Sequence, residues 1–215
     1  MACRSVCVSI SAATAEMAND SSGRLVLASA SPRRLDLLHQ IGIEPYRVAA
    51  SDIDETPFPR EQPVSHAMRL ACEKAAAIAP QFPGDFILAA DTVVAVGRRI
   101  LGKPANADEA RSFLTLLSGR RHQVIGGVAV IDPAGRVHTR TVTSVVRFRR
   151  LLSADFDRYL AGGEWRDKAG GYAIQGLAAV FVAFVSGSYS NIVGLPLYET
   201  ATLLAGVGFK TPPLP

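Results

Sequence analysis

Asp91 follows the apolar run 86–90 with no spacer. Such a run reads as a buried strand, which puts the carboxylate at the strand's carboxyl end, where open α/β sheets bind ligands. A carboxylate in that place could hold Mg²⁺ or orient an attacking water. It also reads as an ordinary turn aspartate. Residues 29–34, Ser-Ala-Ser-Pro-Arg-Arg, lie where a strand gives way to a helix. Free N–H groups and the positive end of the helix dipole attract anions there. Arg33 and Arg34 add planar forks that match phosphate oxygens, and Ser29 adds a hydroxyl. A capped helix with two solvated arginines is the plainer reading.

Three further segments carry groups of the same chemical kind. In Leu101-Gly102-Lys103-Pro104, the glycine permits an unusual turn and the proline fixes the chain after Lys103. Lys103 could then face a phosphate or remain a surface lysine. Lys74 aligns on its helix with Ala67, Ala71 and Ile78, so it borders an apolar face and either snorkels outward or points into a cleft. Asp54 and Glu55 are neighbouring acids in one loop, a candidate metal or water site. In the segment 167–176, three glycines would let a ligand approach the backbone, and the amide of Gln175 could read a base edge. Together these residues amount to one carboxylate centre, four basic side chains and one amide. Phosphoanhydride hydrolysis needs such a set: charge neutralisation, a metal and a positioned water.

The elements that must position them follow from hydropathy patterning. Strands are expected at 24–29, 46–50, 86–90 and 179–185, with 93–96 extended beyond Asp91. Residues 122–131 and 136–150 read as paired strands around an Asp-Pro-Ala-Gly turn. Helices are expected from Pro32 with Ser31 as N-cap, over 63–79, over 107–117 behind an Asn106 cap with Glu109 three residues on, and near 154–161 and 196–206. Alternating strands and helices with one long hairpin indicate an α/β fold built on a mixed sheet.

Composition narrows the alternatives. The chain has 215 residues, 48% hydrophobic and 20% charged, the profile of a globular protein. A net charge of +4 suits an anionic small molecule or a nucleic acid alike, whereas 7% aromatic residues and no long basic run argue against the second. No apolar stretch is long enough for a membrane span. Cys3, Cys7 and Cys72 form no disulfide or zinc pattern, which fits a cytoplasmic, reducing compartment. Residues 1–23 read as a disordered extension ahead of one domain over 24–215. No GxxxxGK[ST] loop occurs, so the chain is not a P-loop NTPase, and no Ser-His-Asp elbow of the GxSxG kind appears.

The stretches LVLASASPRRLDLL, SDIDET, ACEKA, ILAADTVVAVGRRILGKP, LSGRRHQVIGGVAV, DKAGGYAIQG and NIVGLPLYET resemble, in order, the Maf family of nucleoside triphosphate pyrophosphatases. The resemblance covers about residues 24–206. It implies a Maf/ITPase-like fold, a mixed twisted sheet flanked by helices, with two lobes around a central cleft. It also implies a homodimer and a divalent cation, Mg²⁺ or Mn²⁺, held through Asp91 and Glu55. On that resemblance Asp91 is the catalytic aspartate, Glu55, Lys74 and Lys103 are the other charged cleft residues, and Ser29, Arg33 and Arg34 bind phosphate. Arg33, Thr92 and Gln175 match the branch resembling dTTP/UTP pyrophosphatases. The 7-methyl-GTP branch has tryptophan, glutamine and glutamate at those places. Ala173 departs from the family's usual glycine. The alternatives are a purine-type (7-methyl-GTP or ITP) pyrophosphatase and a nucleotide-binding regulator of septum formation.

Overall fold

The computed structural model describes residues 23–210, so the expected N-terminal extension lies, but for Gly23, outside the described residues. Strand β1 (Leu25–Leu27) is entirely buried and leads into helix α1 (Pro32–Gln40). A short exposed strand β2 (Arg47–Val48) and helix α2 (Pro63–Ile78) follow. The long strand β3 (Phe86–Val96) turns into β4 (Arg99–Leu101), and helix α3 (Ala107–Leu117) leads to the hairpin of β5 (Arg121–Ile131) and β6 (Val137–Phe148). Helix α4 (Ser153–Gly162), strand β7 (Val182–Ser186), and helices α5 (Tyr189–Val193) and α6 (Leu197–Gly206) complete the order. The strands make one mixed seven-stranded sheet in the order β2-β1-β3-β5-β6-β7, with β4 paired to the far end of β3. β1 runs parallel to β2 and β3, and every other pairing is antiparallel. The fold is thus the expected α/β type.

Strand alternation assigns the two faces. Leu25, Leu27, Leu88 and Val130 pack with α1 and α6 through Leu38 and Leu204. Val26, Ile87 and Ala129 pack on the opposite face with Ala71, Ala75 and Ile78 of α2. Beyond Asp91 the same sheet carries another core, in which Val94, Leu101, Val124 and Phe148 meet Leu114 of α3 and Tyr172. Helix α2 comes unusually close to the sheet. A Cβ on Gly127 would lie 2.3 Å from the Ala67 carbonyl oxygen, so only a glycine admits the helix backbone there.

Asp91 does not end its strand. β3 runs on to Val96 because the antiparallel register with β5 continues unbroken from Ile87 to Ala95. What ends nearby is the parallel part of the sheet: β1 stops at Leu27, whose partner is Leu88, and Asp91 lies just beyond that edge. The strand expected over 179–185 begins later. A 3-10 turn (Leu177–Phe181) comes first and drives Ala178 and Phe181 into the core. Asn106 caps α3 by accepting from Glu109 N at 2.9 Å. The Glu109 carboxylate, however, reaches past the cap to Ala105 N at 2.8 Å. Ser31 sits at the N-cap of α1 without using its side chain. Its own N–H donates instead to Ser29 Oγ at 3.1 Å. The short strand β4 and helix α5 are too brief to leave a periodic signal in the sequence.

Candidate active site

A cleft of about 550 Å³ opens where β1 stops and β3 continues. Ser29, Arg33, Arg34, Glu55, Lys74, Asp91, Thr92, Lys103 and Gln175 all line it, so of the residues singled out from the sequence as catalytic or ligand-binding only Asp54 does not reach this space. One wall is a row of alternating charges. Lys74 Nζ donates to Asp91 Oδ1 at 2.6 Å and pairs with Glu55 Oε1 at 2.6 Å. Lys103 Nζ takes the other oxygen, Glu55 Oε2, at 2.6 Å. Lys74 and Asp91 are buried, Glu55 is partly buried and Lys103 is open to solvent. Lys74 therefore points inward, the second of its two expected positions, because the close approach of α2 at Gly127 brings its ammonium over β3. Burial alone would raise the Glu55 carboxyl, but hydrogen bonds from Lys103 and Lys74 hold it down at about 2. Among the described residues, Lys74 is the sole hydrogen-bond donor to the Asp91 carboxylate, and it uses only Oδ1, leaving Oδ2 without a protein donor.

The turn from β1 into α1 separates two arginines that the sequence left equivalent. Arg34 is buried and spends three nitrogens on the protein: Nε donates to the Gly194 carbonyl at 2.9 Å, Nη1 to Ser29 Oγ at 3.0 Å, and Nη2 to Thr92 Oγ1 at 3.4 Å. Burial lowers its pKa from the ordinary arginine value, against the pull of Asp91 and Glu55. Arg33 is half-buried and makes no hydrogen bond with the described residues. Its charge faces Asp167, and it keeps a free fork for an anion. Ser29 Oγ accepts from both Ser31 N and Arg34, which fixes the turn from β1 into α1.

The segment 167–176 differs from its expected use of glycine. Gly170 and Gly171 adopt left-handed φ values of 69° and 70° and are buried, and a Cβ on Gly170 would meet Val94 at 2.8 Å. These glycines let the turn pack on the sheet, while Asp167, Lys168, Ala169, Tyr172, Ala173 and the exposed Gln175 are the residues that reach the cleft. Asp54 turns away, with Oδ1 accepting from Thr56 N at 2.9 Å. Sequence reasoning missed Gly194, whose carbonyl receives both Arg34 and the Thr92 hydroxyl (3.3 Å). It also missed Lys168, a half-buried ammonium in the cleft lining whose pKa is lowered by burial and then by Arg33. The only signal for Gly194 was a glycine before a proline-bounded helix.

The donor set fits a divalent cation of one particular kind. Among the described residues, no three His, Cys, Asp or Glu side chains cluster to hold a metal. Asp91 and Glu55 nonetheless lie close together, each 2.6 Å from Lys74 Nζ, and their oxygens keep lone pairs beyond that contact. Mg²⁺ is commonly bound through one or two carboxylates plus water and substrate phosphates, so the pair suits a cation that arrives with a phosphate ligand.

The family described as Maf-like protein matches residues 24–207. A protein of Paramagnetospirillum magneticum named dTTP/UTP pyrophosphatase is 62% identical over 185 residues, covering 86% of this chain and 97% of its own. One of Caulobacter vibrioides with the same name is 59% identical over 186 residues, covering 86% and 96%. A solved HAM1 protein of Coxiella burnetii aligns with a TM-score of 0.48 at 18% identity, over 86% of this chain and 99% of that one. With the family match running from the first strand to the last helix, this chain belongs to the Maf family.

Proposed function

We propose that this chain hydrolyses the pyrimidine nucleoside triphosphates dTTP and UTP between the α- and β-phosphates, giving the monophosphate and pyrophosphate. One observation carries the reading: the row Asp91, Lys74, Glu55, Lys103 and the turn bearing Ser29 and Arg33 line one cleft of about 550 Å³. The names of relatives about 60% identical supply the base and the bond.

In this reading Asp91 Oδ2 holds the attacking water and takes its proton, while Lys74 keeps Oδ1 occupied and the carboxylate oriented. Lys103 and Arg33 neutralise the phosphate oxygens, and Ser29 and Arg34 shape the turn that holds them. Thr92 and Gln175, with Arg33, set the choice of base. A Mg²⁺ or Mn²⁺ ion would be held by Asp91 and Glu55 and would supply charge neutralisation on the phosphates. The protein works in the cytoplasm as a homodimer.

Pyrophosphate release in the presence of Mg²⁺, measured over dTTP, UTP, CTP, GTP, 7-methyl-GTP and ITP, tests the proposal. Preference for dTTP and UTP supports it. Preference for 7-methyl-GTP or ITP moves the chain to the purine-type reading, and tight binding with no release moves it to a regulator.

A further inference from the structure

We propose that Arg69 is a positioning residue for Glu55, holding the irregular segment that presents this carboxylate to the cleft. The inference rests on the reading of Glu55 as a working residue of that cleft.

Residues 49–62, between β2 and α2, contain no helix or strand, so nothing in regular backbone pairing fixes where Glu55 stands. The lysines that reach its carboxylate do not restrain the main chain. Arg69 does. From α2 its Nη2 donates to the carbonyl of Thr56, the residue next to Glu55, at 3.1 Å. Nε and Nη2 together grip the Glu61 carboxylate at 2.8 and 2.9 Å, while Nη1 donates to Glu73 on the same helix at 3.0 Å. The guanidinium also lies 3.9 Å from the centre of the Phe58 ring. Glu61 returns the connection by accepting from Phe58 N at 3.0 Å and meeting His66 Nδ1 at 2.9 Å. One side chain thus ties residues 56, 58 and 61 to a single helix.

Two features separate this arrangement from a surface ion pair. The Arg69 side chain is only 16% exposed and that of Glu61 8%, so the pair is largely shielded from water, while the bond to the Thr56 carbonyl lies at the surface. Arg69 and Lys74 also share α2, so the anchor sets the Glu55 backbone in the same frame as the ammonium its carboxylate must meet. Arg69 does not line the cleft and touches no reacting group. A lysine could not substitute, because four of these contacts need a planar fork with several donors.

The test is a double-mutant cycle with a structural readout. Arg69→Met is expected to lower kcat on UTP about 10- to 100-fold, the cost of misplacing a cleft group from a distance. In a Glu55→Gln background the same change is expected to cost less than about twofold, because the group it positions is already gone. Equal losses in both backgrounds overturn the proposal, since a general structural role would not depend on Glu55. Hydrogen exchange supplies a readout independent of turnover. The Phe58 amide, which donates to the Glu61 carboxylate that Arg69 grips, and the Thr56 amide should exchange at least about tenfold faster in Arg69→Met, with β3 amides unchanged. Unchanged exchange at Thr56 and Phe58 also overturns the anchor. If Arg69→Met does not fold, Arg69→Lys keeps the charge and stem, loses the fork, and should show the same local exchange. Should Glu55→Gln run at the full rate, the functional reading of Glu55 falls, while the exchange result still decides the anchor.

Discussion

Replacing Asp91 by asparagine removes a charge and almost nothing else. The amide oxygen can still accept from Lys74 Nζ, now 2.6 Å from Oδ1. The ammonium is not orphaned, because Glu55 Oε1 stays 2.6 Å away on its other side. The stability cost is therefore that of weakening one charged hydrogen bond, about 1.5–3 kcal/mol, and not the 3–5 kcal/mol or so of a broken buried ion pair. For a chain of this size that corresponds to a Tm lowered by about 3–12 °C, so the variant stays folded at room temperature. Its rate should suffer far more. Asparagine cannot accept the proton of the attacking water, and general-base assistance contributes about 10²- to 10⁴-fold, or about 2.7–5.5 kcal/mol of barrier. KM for UTP should move by less than about tenfold, since Lys103 and Arg33 keep their charges. Pyrophosphate release at saturating UTP and Mg²⁺, with thermal melts by circular dichroism, measures both quantities. A folded Asp91→Asn variant with kcat within about threefold of the parent would refute the role given to Asp91.

Two further outcomes follow from the geometry. Gly127→Ala should destabilise the fold by about 1–3 kcal/mol in urea unfolding, because its methyl meets the Ala67 backbone and forces α2 off the sheet. It should also lower turnover beyond the loss of stability, since α2 carries Lys74. The Glu55 carboxyl is held at about 2 in the folded protein against an ordinary 4.5, so its ion pairs stabilise fully above about pH 4.5 and are lost as pH falls toward 2. Melts between pH 5 and pH 2 should show a falling Tm, with a shallower slope in Glu55→Gln. Identical slopes would show that these pairs add nothing to the fold.

What the sequence made legible was chemistry local to one segment. Ser29, Arg33 and Arg34 could be read as a helix-start turn because strand, cap and proline are adjacent in the chain. Lys74 stood out because helical spacing placed a charge at an apolar border. The partners that give these residues their states were out of reach. Arg34 bonds to Gly194, 160 positions away, and Lys103 meets Glu55 across 48 positions. Asp91 was assigned to the wrong part of its strand because an apolar run shows where burial begins, not where a second partner strand prolongs the pairing. The division of labour between Arg33 and Arg34 had the same cause, since two like residues in sequence diverge only when tertiary contacts bury one of them. Arg69 looked like one more charged helix residue, as its meaning lies in a loop without periodicity.

The unbroken course of β3 and β5 has a mechanical consequence. Phe86, Leu88 and Ala90 are gripped by one core and Val94 by another, while the ladder between them keeps register from Ile87 to Ala95. The two halves of the molecule are thus riveted to a common beam, and Asp91 sits at its midpoint. Such a beam cannot fold at the site without breaking backbone hydrogen bonds on both sides of Asp91. Motion that admits a nucleotide and lets pyrophosphate leave is therefore left to the surface segments around the cleft that no such tie holds, the turn bearing Lys103 and the stretch bearing Gln175. Traffic through this site is a matter of loops moving over a rigid floor.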